Sequence, residues 1–163
     1  MKKLAVLLVL LLSPLSSQAD LKSFFHGTQA AATPGPPDAK AASVSFAPDV
    51  AADSQVLEFT QAFAEAMRVH DGKSLKPRLS EKYTIENMPA GQDPTELLMQ
   101  AMVRMKAPEE IVVTSIVREG GVRIATTEFR TPEKTKTRVF KFDPNGKLIS
   151  ADFFKLEMHG HGF

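Results

Sequence analysis

The sequence predicts an α+β domain, with three N-terminal helices packed on a curved antiparallel sheet of four strands plus a short edge strand. Three observations predict it. Apolar residues recur at three- and four-residue spacing from Val56 to His70, and again from Leu97 to Met105. After Pro108 the chain is a series of β-branched and aromatic runs. Short segments rich in Gly, Pro and Asn join those runs, which is the spacing of hairpins. Helices followed by a strand meander form a two-layer domain.

The elements follow in order. Lys2 and Lys3 precede an apolar run from Leu4 to Leu12, and Ser17-Gln18-Ala19 offers small residues at both positions a signal peptidase reads. Residues 1–19 are therefore expected to be a secretory leader cleaved after Ala19. The run is too short for the ~20 residues of a membrane span, so no stable membrane anchor is expected after cleavage. From 20 to 52 the chain is rich in Ala, Pro, Ser and Thr around Thr33-Pro34-Gly35-Pro36-Pro37. Prolines remove backbone donors and fix φ, so this span reads as a flexible linker. Residues 53–157 form the domain and 158–163 a flexible tail.

Within the domain, Asp53 or Ser54 caps a helix carrying Val56, Phe59, Phe63, Ala66, Met67 and His70 on one face, and Asp71-Gly72 ends it. A second, short helix covers Lys73 to Ser80, limited by Pro77. Tyr83 to Glu86 is a brief extended piece. Asp93 caps a third helix with Pro94 at its first position, and Leu97, Leu98, Met102 and Met105 make its buried stripe. The strand runs are Ile111–Arg118, Val122–Arg130, Thr135–Phe142 and Leu148–Glu157.

Composition narrows the function. Twenty Lys+Arg stand against nineteen Asp+Glu, a net charge of +1, and loss of Lys2 and Lys3 with the leader makes it −1. That balance argues against a nucleic-acid surface. The absence of cysteine excludes disulfides, thiolate metal sites and a cysteine nucleophile. A periplasmic or secreted protein without disulfides is held by its core alone.

The order of long helix ending in His70-Asp71-Gly72, short helix, extended Tyr83 piece, third helix and four-stranded meander resembles the nuclear-transport-factor-two-like superfamily, which includes SnoaL-like and steroid-isomerase-like branches. The resemblance implies a cone-shaped α+β fold. It does not fix an activity, because that superfamily holds isomerases, dehydratases, cyclases, hydrolases and protein-binding modules. It also implies that the chain forms a homodimer through its sheet. In the steroid-isomerase branch a Tyr and two acidic groups surround the substrate. Here Tyr83 is the only Tyr and follows the second helix, so that catalytic set is not carried over.

Hairpin register yields a candidate site. A three-residue Pro144-Asn145-Gly146 loop sets Phe142 opposite Leu148, Phe140 opposite Ser150 and Arg138 opposite Asp152. A comparable loop before it sets Ile124 opposite Phe140 and Thr126 opposite Arg138. The Gly120-Gly121 turn sets Val117 opposite Ile124 and Ser115 opposite Thr126. Val113, Val117, Val122, Ile124, Phe140, Phe142 and Leu148 then share the helix-covered face, crossed by a polar row of Ser115, Thr126, Arg138 and Asp152. The row is either a cross-strand ion pair at the sheet margin or the floor of a pocket walled by Phe140, Phe142, Met102, Tyr83 and His70.

Other features carry less. His70 is placed to meet the free carbonyls of its helix end or to pack at the core edge. His159-Gly160-His161 lacks a third ligand at a defined spacing, so no metal or other cofactor is expected. Gly120-Gly121 has no following helix and is not a phosphate loop. Two functions remain open. One is a non-catalytic binding module for a small apolar ligand or a protein partner. The other is a small isomerase- or lyase-type enzyme using Asp152 or His70 as base and Arg138 as electrostatic stabiliser.

Overall fold

The computed structural model describes residues 35–38 and 40–152. The expected leader and its expected cleavage after Ala19, the continuation of the last strand run past Asp152 and the expected His159-Gly160-His161 tail lie outside the described residues. The chain runs β1 (Ser43–Phe46), α1 (Ser54–Arg68), a 3-10 helix (Lys73–Arg78), β2 (Leu79–Ile85), α2 (Pro94–Arg104), β3 (Glu110–Glu119), β4 (Val122–Arg130), β5 (Thr135–Phe142) and β6 (Leu148–Ala151). It is an α+β structure with, among the described residues, two α-helices where three were expected. The second expected helix is a 3-10 turn, since Pro77 leaves room only for the tighter form.

The six strands form one mixed sheet in the order β1-β3-β4-β5-β6-β2. The central hairpins are antiparallel as expected, but β1 and β2 pair parallel with β3 and β6 at the two edges. The β1 pairing corrects the reading of 20–52 as linker throughout. Prolines dominate only to Pro37; beyond them Ser43-Val44-Ser45-Phe46 alternates polar and apolar, and Val44 and Phe46 pack against the core. Asp38 is also tied down: its N–H donates to the Arg68 carbonyl at 2.8 Å and its Oδ2 accepts from the Ala107 N–H at 3.3 Å.

Helix α1 starts where the sequence places it. Asp53 caps it, with Oδ1 accepting from the Gln55 and Val56 N–H groups at 3.1 and 3.2 Å. Its end differs. The helix closes on His70, at φ 53, with the His70 N–H on the Met67 carbonyl and the Asp71 N–H on the Ala66 carbonyl. That is a Schellman ending with His where glycine is usual. Gly72 instead has φ −84 and is held small by Met99 and Met102, whose atoms would meet an added Cβ at 2.9 and 3.0 Å.

Two turns fix register as expected. Gly120 and Gly121, at φ 56 and 83, make the two-residue turn that sets Val117 opposite Ile124 and Ser115 opposite Thr126. Gly146, at φ 79, closes the loop that sets Phe142 opposite Leu148. The hairpin between them slips by one. Thr131-Pro132-Glu133-Lys134 is a four-residue loop closed by the Thr131 N–H on the Lys134 carbonyl, so Ala125 rather than Ile124 faces Phe140, and Thr127 rather than Thr126 faces Arg138. A slip of one exchanges faces. Val117, Val122 and Ile124 therefore lie on the opposite face from Phe140 and Phe142. A bulge at Thr114, where the pairing of β3 with β4 shifts, keeps Val113 on the inner face.

The helix-facing side of the sheet is filled by aromatic rings. Phe59 and Phe63 of α1 meet Phe140 at centroid distances of 5.4 and 5.3 Å, Phe59 meets Phe142 at 5.1 Å and Phe63 meets Phe129 at 5.8 Å. All are edge-on, the orientation that aromatic quadrupoles favour.

Candidate functional site

The expected polar row does not assemble. Arg138 is buried on the inner face, and its carbonyl accepts from the Thr127 Oγ1 at 3.1 Å. Ser115 and Thr126 pair on the other face. Asp152 comes opposite Val139, donating its N–H to that carbonyl at 3.1 Å, because β6 bulges at Ile149 before Ser150 pairs with Lys141. No ion pair joins Asp152 to any described residue. The expected pocket wall is core: Phe140, Phe142 and Met102 are wholly buried and Tyr83 nearly so. Burial raises the Tyr83 phenol above its usual range, and its hydroxyl has no hydrogen-bond partner among the described residues. His70 lies at the end of α1, with Nε2 at 3.6 Å from the Asp38 carboxylate.

The structure concentrates its polar chemistry elsewhere, at the start of α1. Arg118 and Arg123 stand directly opposite each other where β3 turns into β4. Like charges in that position repel. Asp53 resolves the conflict. Its Oδ2 accepts from Arg118 Nη2 at 2.8 Å and lies 3.2 Å from Arg123 Nε, while Oδ1 serves the helix cap. Arg123 is further held by the Asp143 carbonyl, on which its Nη1 donates at 3.3 Å. The Asp53 side chain is 8% exposed and that of Arg118 is 68% exposed, so one carboxylate anchors a buried and a solvent-facing guanidinium.

Two adjoining clefts open at this cluster, of about 300 and about 330 Å³. The first lies between the segment 49–53 and residues 114–118 of β3, with Ser115 among its lining residues; the second lies over Asp53, Gln55, Arg118 and Arg123. Ser115 is thus the expected site residue that the clefts retain, and Asp53, Arg118 and Arg123 are those the site reading missed. Their signal is visible in the sequence: two arginines flanking a Glu-Gly-Gly-Val turn must face each other and therefore call for an anion. What the cluster offers is guanidinium hydrogen bonding to a carboxylate or similar acceptor. Among the described residues, no group of three His, Asp or Glu side chains is placed to hold a metal ion, and no helix is long and apolar enough to cross a membrane. The chain matches no protein-family model and no curated protein.

Proposed function

We propose that this chain is a secreted, non-catalytic binding module whose partner is a protein. The observation that carries the reading is the aromatic filling between α1 and the sheet. Phe59, Phe63, Phe140 and Phe142 occupy the space in which a small apolar ligand would sit in a cone-shaped fold. The clefts lie instead on the surface, beside a strand end and a helix start. That Arg138, Asp152 and His70 line neither of the two clefts favours the binding reading over the enzyme one. Kinship with the nuclear-transport-factor-two-like superfamily belongs to the same proposal and rests on the order of elements from α1 to β6. Export rests on the Lys2-Lys3 start, the Leu4–Leu12 run and Ser17-Gln18-Ala19.

The test is native mass spectrometry of the protein expressed with its leader in a bacterial host and recovered from the periplasm. The expected mass is that of the chain beginning at Asp20, with no retained small molecule. A stoichiometric bound metabolite would refute the protein-partner reading, and an intact N-terminus would refute export. The same spectrum reports whether two copies associate.

A further inference from the structure

We propose that the free edge of β3 from Thr114 to Glu119 receives an extended strand of the partner protein, one carrying an acidic residue next to an apolar one, with Arg118 holding the carboxylate. The inference rests on the partner-binding reading above and assigns it a surface. Four observations coincide there. First, β1 pairs only with Glu110–Val113, so β3 runs on past its neighbour. Among the described residues, no strand pairs with Thr114–Glu119 on that side. The segment after β1 stays close without filling the position. The Ala47 N–H donates to the Val113 carbonyl, but no backbone hydrogen bond links 48–53 to Thr114–Glu119.

Second, the cleft of about 300 Å³ runs along this edge, between 49–53 and 114–118. That is the small end of the range for ligand clefts, which suits a few residues of extended chain. Third, Val117, 45% exposed, is the exposed large hydrophobic side chain among the described residues, and it lies on this edge. Fourth, Arg118 spends one of its five N–H groups on Asp53 and leaves the others accessible.

The geometry then specifies the guest. Successive residues of an added strand point to opposite faces, so the residue beside Val117 and its neighbour beside Arg118 alternate. The first finds an apolar partner. The second finds a guanidinium whose charge Asp53 does not cancel, because that carboxylate already serves Arg123 as well. An Asp or Glu there makes the charge-assisted hydrogen bonds that Arg118 still offers. Asp49 lines the same cleft and disfavours a second acidic residue beside it. One acidic residue flanked by an apolar one is therefore preferred over an acidic run.

The experiment selects short random peptides displayed on phage against the immobilised mature protein, with Arg118→Glu, Arg118→Gln and Val117→Lys as parallel targets. Circular dichroism confirms that each variant is folded. The expected result is enrichment of peptides with adjacent acidic and β-branched or aromatic residues. Their affinity should fall at least about tenfold with Arg118→Glu, less with Arg118→Gln, and weaken with added salt. Hydrogen exchange should show new protection at those amides of Thr114–Glu119 that point away from β4. Enriched peptides that bind all variants equally would overturn the edge site and leave the module reading standing. No enrichment would also overturn it; a retained small molecule in the native mass spectrum would then remove the protein-partner reading too. A dimer that Val117→Lys dissociates would make a second copy the occupant and overturn the peptide assignment.

Discussion

Replacing Asp53 tests whether the helix start and the hairpin end are one structural unit. Its side chain has two duties on separate oxygens: Oδ1 caps α1, and Oδ2 lies between Arg118 and Arg123. Loss of an Asp cap costs about 1 kcal/mol. Arg123, whose side chain is 15% exposed, faces Oδ2 as an ion pair at 3.2 Å, and leaving a part-buried charged group without that partner costs about 1–3 kcal/mol. The Arg118 contribution is solvent-screened and adds no more than about 1 kcal/mol. Asp53→Ala should therefore lose about 3–4 kcal/mol in urea denaturation. Asp53→Asn keeps the cap, because Asn serves that position as well as Asp, and removes only the charge; it should lose about 2 kcal/mol. Adding Arg123→Leu to Asp53→Asn should recover part of the loss, since one of the two facing cations is then gone. If Asp53→Asn matches the parent within about 0.5 kcal/mol, the arginines do not need the carboxylate, and the account of the cluster is wrong.

Three further perturbations probe the core and its ends. Tyr83→Phe removes a buried hydroxyl without a partner and should stabilise the fold by about 1 kcal/mol. The folded-state phenol pKa is raised, so in the parent stability should be complete below the unfolded value of about 10 and decline as pH rises past it. Tyr83 is the single Tyr and there is no Trp, so tyrosinate absorbance follows it alone; titration at the ordinary value would refute its burial. His70→Gly relieves a left-handed residue costing about 1–2 kcal/mol and gives back about 0.5–1 in chain entropy. A net rise in the midpoint of thermal unfolding is expected, and a fall would mean that the contact with Asp38 matters more than the backbone. Phe140→Ala empties the centre of the aromatic cluster and should cost about 3–5 kcal/mol by denaturation; a loss below about 1 would contradict the filled interior.

Much of the fold was legible because local rules decide it. Asp53 and Asp93 sit where caps belong, the Gly120-Gly121 turn sets its hairpin as expected, and the Gly146 turn does so for Phe142 and Leu148, beyond which the bulge at Ile149 puts Ala151 rather than Ser150 opposite Phe140. The site was not legible, for a reason of parity. A strand's face is decided by one residue of loop, and Thr131–Lys134 closes as four residues through the Thr131 hydroxyl and backbone, where the expected register needs three. That single residue separates Ser115 and Thr126 from Arg138, and the bulge at Ile149 separates Asp152 from Arg138, so the polar row dissolves at both ends. Parallel edge strands are harder still, since their partners are remote: β1 lies more than sixty residues before β3, and no local turn announces the pairing. The alternation in Ser43–Phe46 was present, but the proline-rich segment before it masked its meaning.

The end of β3 that no described strand covers joins these threads. An open strand edge invites indiscriminate pairing, and proteins guard such edges with bulges and charged side chains. Both guards are here: the bulge at Thr114, which sharpens the local twist, and Arg118 with Glu119 at the tip. Arg118 is the more selective of the two. Against an apolar or basic strand it would be left facing a partner that cannot satisfy it, and binding would be disfavoured. Against a strand with one carboxylate at the matching position it becomes a contact. Asp53 holds one guanidinium N–H from behind, so part of the side-chain freedom is already spent when a guest arrives. The feature that keeps the edge from pairing at random is thus the same one that would let it recognise a particular acidic strand.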